Sequence, residues 1–224
     1  SPYADAVAAR ARAEAQELLA ELIDVRENLE ERGALDWAAG TMSAIAATAT
    51  AGDERYRERA FEEAITLYRD ALDAALALEA SLPERFARQL EKADTAVEAL
   101  DTAAATAALA VARQIRPGDS ELQDYQARVD VLPEVADAVE AAQQAEAAAE
   151  LADAVASLEA ARDLDDRHRY VAAELERLRR ALTEQRFNAA MSEGYAALDE
   201  ADFDGAQARF DRAAALKPGA AEAQ

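Results

Sequence analysis

Residues 187–218, FNAAMSEGYAALDEADFDGAQARFDRAAALKP, place small and aromatic residues at intervals that decide how the rest of the chain is read. Counted from Phe187, Gly194 stands at the eighth place, Ala206 at the twentieth, Phe210 at the twenty-fourth, Ala213 at the twenty-seventh and Pro218 at the thirty-second. Two antiparallel helices approach closely only where their crossing carries Gly or Ala, and an aromatic ring fills the wedge beside it. The spacing predicts a helical hairpin whose second helix is stopped by Pro218.

The arrangement recurs upstream. Gly52, Ala64, Tyr68 and Ala71 hold four of the same places, with Leu76 where the stop would be, so this second helix is expected to reach Ser81 and end before Pro83. Ala93, Ala105, Leu109, Ala112 and Pro117 hold all five, and Gly118, Asp119, Ser120 and Glu121 then write a turn and a new helix start. Ala142, Ala154, Leu158 and Ala161 hold four, with Asp166 in the terminal place. These residues resemble the tetratricopeptide repeat (TPR). The last unit departs from that family at its fourth and eleventh places, where Ala190 and Ala197 stand for the usual aromatics; Met191, Tyr195 and Phe203 are expected to supply the bulk.

The resemblance spans residues 45–218 and implies an all-α, right-handed superhelical stack, a TPR-like α-solenoid. The expected organisation is an N-terminal helical pair over 1–44 and four degenerate repeats within 45–224, at about 45–82, 83–118, 119–166 and 167–218. The steps from Ala64 to Ala105, Ala154 and Ala206 exceed the family's 34 residues by nearly whole numbers of helical turns. Whole turns keep a buried stripe on one side, so the inserts read as longer helices over 120–149, kinked or broken at Pro133, and over 167–199. On the latter, Tyr170, Leu175, Leu178 and Leu182 form a stripe able to cover a neighbour, a partner helix or a second copy. At the N-terminus, residues 2–32 read as one helix ending at Gly33, and Trp37 as the anchor that locks it on the next.

Composition agrees with helix nearly everywhere. Alanine dominates, and Gly and Pro number only 7 and 5 among 224 residues. With 46 acids against 24 bases the formal charge is -22, which repels phosphate backbones and argues against nucleic acid as a partner. The basic run Arg162, Arg167, His168, Arg169, Arg177, Arg179 and Arg180 is interleaved with acids and reads as a solvated face, with His168 as a surface residue. Arginine far outnumbers lysine, a usage that together with the alanine points to a bacterial, GC-rich genome. There is no cysteine, and no apolar run of spanning length. Compartment is left open between cytoplasm and periplasm, and a start at Ser1 reads as a soluble piece of a longer, even membrane-anchored, protein.

No spacing of residues supports catalysis, a metal or a cofactor: His168 is the only histidine, and no phosphate-binding glycine loop or calcium loop occurs. In tetratricopeptide proteins the ligand lies along the first helix of each pair, and the resemblance carries that role to specific positions. These are Asp53, Tyr56 and Arg57; Leu90, Asp94, Val97 and Glu98; Val139, Gln143 and Glu146; and Asn188, Met191, Tyr195, Leu198 and Asp199. Such a groove is acidic with apolar islands, which fits a peptide or helical segment carrying Arg or Lys and disfavours capture of a terminal carboxylate. The function implied is a non-catalytic protein-binding scaffold, with self-association possible. Two other readings stand beside it: a spacer or dimerisation module of long helices, and a regulatory domain of a larger enzymatic or membrane-anchored chain.

Overall fold

The structure, a computed structural model, describes residues 2–218. All ten helices follow from the alanine-rich, proline-poor sequence, and no strand occurs among the described residues. They are α1 (Pro2–Glu31), α2 (Ala34–Trp37), α3 (Ala39–Arg57), α4 (Phe61–Ala80) and α5 (Leu82–Glu98). There follow α6 (Thr102–Ile115), α7 (Glu121–Ala147), α8 (Leu151–Leu164), α9 (Arg169–Asp199) and α10 (Phe203–Leu216). The chain divides into two units: one holds the described residues up to Ala96 with Ala103–Ala127, the other Val97–Thr102 with the described residues from Arg128 onward.

In the first unit α4 packs along both α1 and α3. Leu22 and Leu29 of α1, Met42 and Ile45 of α3, and Leu72 and Leu78 of α4 share one core, each side chain supplying about 1.5–3 kcal/mol through burial. The alanine-rich first half of α1 is not idle, for Ala11 and Ala15 lie buried against Ala64, Ile65 and Tyr68. Gly33 ends α1 in the left-handed region at φ 75°, and a Cβ there would stand 2.8 Å from Gln114, so both backbone and space favour glycine. Trp37 packs half-buried on this core, its Nε1 donating to the Arg32 carbonyl at 2.7 Å while the Arg85 guanidinium stacks 5.1 Å from its ring centre.

The second unit gathers Val135, Val139 and Ala142 of α7, Ala154, Val155 and Leu158 of α8, and Val171, Leu175 and Leu178 of α9 into one core. Leu175 and Leu178 of the apolar stripe on α9 are therefore covered by neighbours in their own chain and Leu182 in part, while Tyr170 is exposed. The far half of α9, with Phe187, Ala190 and Met191, packs against α10 through Ala213 and Phe210. Helix α7 continues through Pro133, which is exposed and lies between the fully buried Leu132 and Val135. Burial of the flanking side chains offsets the backbone hydrogen bond that a proline inside a helix removes.

Four short turns share one backbone device. Among the described residues, Arg59, Leu100, Ala149 and Ala201 are the non-glycine residues with positive φ, at 62°, 59°, 64° and 62°. Each lies in the three-residue link of a helix pair: α3 to α4, α5 to α6, α7 to α8, α9 to α10. In each the left-handed residue donates its N–H to the carbonyl three positions back, at 3.0, 2.9, 2.9 and 3.0 Å. Ala60, Glu150 and Asp202 then donate to the carbonyl five back, the double bond that closes a helix in the Schellman manner.

Candidate functional site

The residues at the small and aromatic places do structural work. Gly52 and Gly194 are buried where two helices meet: an added Cβ would stand 2.6 Å from Cε1 of Tyr68 in one hairpin and 2.5 Å from Cε1 of Phe210 in the other. Ala64, Ala71, Ala93, Ala105, Leu109, Ala112, Ala142, Ala154, Leu158, Ala161, Ala206 and Ala213 are buried too, whereas Pro117 and Pro218 are exposed.

The fifteen groove positions separate by environment. Leu90, Val97, Val139 and Met191 are buried and form core. Asp53 accepts the Tyr68 hydroxyl at 2.7 Å, and burial, then that carboxylate, push the Tyr68 phenol well above its ordinary value. Tyr56 meets Phe61 edge-on at 5.2 Å and accepts from Arg12 Nε at 3.3 Å, with exposed Arg57 beside it. Asp94 is half-buried. Gln143 is exposed and donates to the Tyr170 hydroxyl at 3.4 Å. Glu146 accepts two hydrogen bonds from Arg177, both 2.7 Å, and that fork holds its carboxyl below the usual carboxylate range. On α9, Asn188, Tyr195, Leu198 and Asp199 are exposed, with Tyr195 edge-on to Phe210 at 5.3 Å.

Glu98 has a different position from the rest. Its carboxylate receives the backbone N–H groups of Arg169 and Tyr170 at 3.2 and 3.1 Å, where the first turn of α9 leaves its amides unpaired. Arg128 reaches the same carboxylate at 3.4 Å and Asp165 at 2.8 Å, while Asp165 also accepts from the Arg167 N–H at 3.1 Å. His168 completes this cluster. It is buried, 1 % exposed, and its Nε2 lies 3.0 Å from the Val97 carbonyl, a distance at which Nε2 donates. Its Nδ1 lies 3.4 Å from Glu98 and 3.5 Å from the Val171 N–H, at the N-cap of α9. The expectation of a surface histidine is thus corrected. Its partners Val97 and Glu98 lie some seventy positions away, out of reach of any local pattern.

The basic run around it is largely paired. Arg162 bonds Asp163, Arg177 bonds Glu146 and Glu174, and Arg179 bonds Glu159 and Glu176. Among the described residues no group of His, Asp and Glu is arranged to hold a metal ion, and no helix is long and apolar enough to cross a membrane.

One concavity was not foreseen in the sequence. The first half of α1 and the α3 to α4 turn border an open cleft of about 860 Å³ between Arg12, Gln16, Tyr56, Arg57, Arg59 and Phe61. These residues come from two stretches some forty positions apart in sequence, so no spacing announces them.

No protein-family model, curated protein or solved structure matches the chain.

Proposed function

We propose that this chain is a non-catalytic scaffold of TPR-like helical hairpins, stacked as an α-solenoid, that holds a peptide or helical segment of a partner protein. The recurrence of the left-handed turn carries the reading. Arg59, Leu100, Ala149 and Ala201 each stand seven residues after the small residue at the eighth place, namely Gly52, Ala93, Ala142 and Gly194. Four unlike residues share a backbone state that disfavours all of them, which is what one repeated hairpin geometry would impose. Repeats of this kind expose a row of first helices, and on α9 that row offers Asn188, Tyr195, Leu198 and Asp199 to solvent. An aromatic, an aliphatic and a carboxylate together suit a segment with apolar side chains next to Arg or Lys.

The test is titration of isotope-labelled protein with the acetylated, amidated peptide Leu-Lys-Leu-Lys-Leu. The expected result is movement of backbone signals from Asn188 to Asp199, and about tenfold weaker binding in the Tyr195→Ala, Asp199→Arg variant with helix content unchanged. Binding equal in wild type and variant would overturn the assignment of the site to α9. Absence of binding to any first helix would overturn the scaffold reading.

A further inference from the structure

The cleft between α1 and the α3 to α4 turn is lined by charge of one sign. Arg12, Arg57 and Arg59 border it, and no carboxylate does. In a chain with 46 acids and 24 bases, two neighbouring arginines do find carboxylates. Arg55 pairs with Glu58 at 2.8 Å and Glu63 at 3.3 Å, and Arg69 pairs with Glu14 at 2.9 Å. Arg57 and Arg59, by contrast, form no salt bridge among the described residues. Arg12 is oriented by its bond to the Tyr56 hydroxyl, and the Arg59 backbone is fixed by the left-handed turn.

A smaller bay of about 380 Å³ continues from this cleft, sharing Ala8, Arg59 and Phe61 and adding Tyr3, Val7 and Glu62. Tyr3 and Val7 are 80 % and 46 % exposed, large apolar surface left uncovered beside the guanidinium groups.

We infer that this cleft binds a short acidic segment of a partner protein, with side-chain carboxylates on Arg12, Arg57 and Arg59 and a neighbouring apolar side chain over Phe61, Val7 and Tyr3. Guanidinium groups present paired donors that match a carboxylate, and such charge-assisted bonds are the strong ones. The chain's overall negative charge does not forbid this, because at physiological salt fields fade within about 8 Å and contact pairs dominate. It does restrict the ligand. An extended polyanion such as a nucleic acid would run past the cleft into Glu58, Glu62 and Glu63, whereas a segment with one or two acids flanked by apolar residues would not. The inference rests on the scaffold reading and adds to it a second site of opposite charge.

Calorimetric titration with acetylated, amidated Leu-Glu-Leu-Glu-Leu and its neutral counterpart Leu-Gln-Leu-Gln-Leu tests it, since only side-chain carboxylates distinguish them. Wild type is expected to bind the Glu peptide about tenfold more tightly than the Gln peptide. The Arg57→Gln, Arg59→Gln variant is expected to lose that preference, while Arg88→Gln on α5, outside the cleft, keeps it. Equal affinity for the two peptides, retention of the preference in the double variant, or no binding at millimolar peptide would each overturn the proposal. So would inorganic phosphate competing as well as the Glu peptide, which would reduce the site to a simple anion site. The lysine peptide is titrated in parallel: if it binds α9 while the Glu peptide fails, only this inference falls; if both fail, the scaffold reading falls with it.

Discussion

The α3 to α4 and α9 to α10 hairpins are built on the same contact and differ in what lies over it. Both press a glycine against an aromatic ring, with a Cβ-to-ring distance near 2.6 Å in one and 2.5 Å in the other. Tyr68 is 1 % exposed beneath Ala11 and Ala15 of α1, and its hydroxyl is held by Asp53. Phe210 is only half-buried, and its edge-on neighbour Tyr195 is 55 % exposed. A close crossing is thus a two-helix property, while its rigidity depends on a third helix. Rings locked on every side transmit strain, and rings open to solvent on one side can swing away from it.

Substitution at the two glycines separates these properties. Gly52→Ala is expected to cost about 2–3 kcal/mol, at the upper end for an overpacked core, measured by urea denaturation of the first unit's signals. The equivalent Gly194→Ala is expected to cost about 1 kcal/mol, because Phe210 can yield. Equal losses would refute the role given to the third helix. Next in size is Tyr68→Phe, expected to cost about 1 kcal/mol for the lost bond to Asp53. That variant also carries a pH signature. The folded phenol is raised above its unfolded value, so its stabilisation is complete below a pH of about 10 and is lost as pH rises toward the folded value. Melting of the wild type is therefore expected to fall more steeply above that pH than melting of Tyr68→Phe. Smallest, and opposite in sign, is Ala201→Gly. Relief of the left-handed residue is worth about 1–2 kcal/mol, and the added freedom of the unfolded chain returns about 0.4–1 kcal/mol of it, leaving a modest gain in melting temperature. Arg59→Gly is expected to behave alike, since both turns share one geometry.

The helices and their stops were legible because they depend on local chemistry. The end of α1 at Gly33 and the run of α4 to Ala80 follow from residues within a turn or two of the boundary, and the lengths of α7 and α9 from whole-turn excesses in the spacing of the small residues. The small residues at Gly52 and Gly194 were legible as well, since a hairpin repeats its crossing at a fixed interval. Site residues were less so. A position in a repeat says which helix face a residue occupies, but Val97 and Val139 show that an inserted turn or a neighbouring helix can bury that face. Glu98 read as a groove residue and His168 as a surface one because the partners that hold them lie some seventy residues off. The cleft of Arg12, Arg57 and Arg59 was hidden for the same reason: charge counted along the sequence is negative there, and only folding separates the guanidinium groups from the acids around them.

The cluster of Glu98, Arg128, Asp165 and His168 has a consequence for the order in which the chain can be made. The turn Val97–Thr102 belongs by its contacts to a unit whose other members begin only at Arg128, although both of its flanks belong to the first unit. During synthesis Glu98 emerges thirty residues before Arg128 and some seventy before the amides of Arg169 and Tyr170 that bind it. No single cut divides the chain into its two units, because a fragment starting at Arg128 lacks the carboxylate that closes the first turn of α9 and the carbonyl that holds His168. Excised on its own, that fragment would keep the buried Arg128 on Asp165 but lose its contact with Glu98.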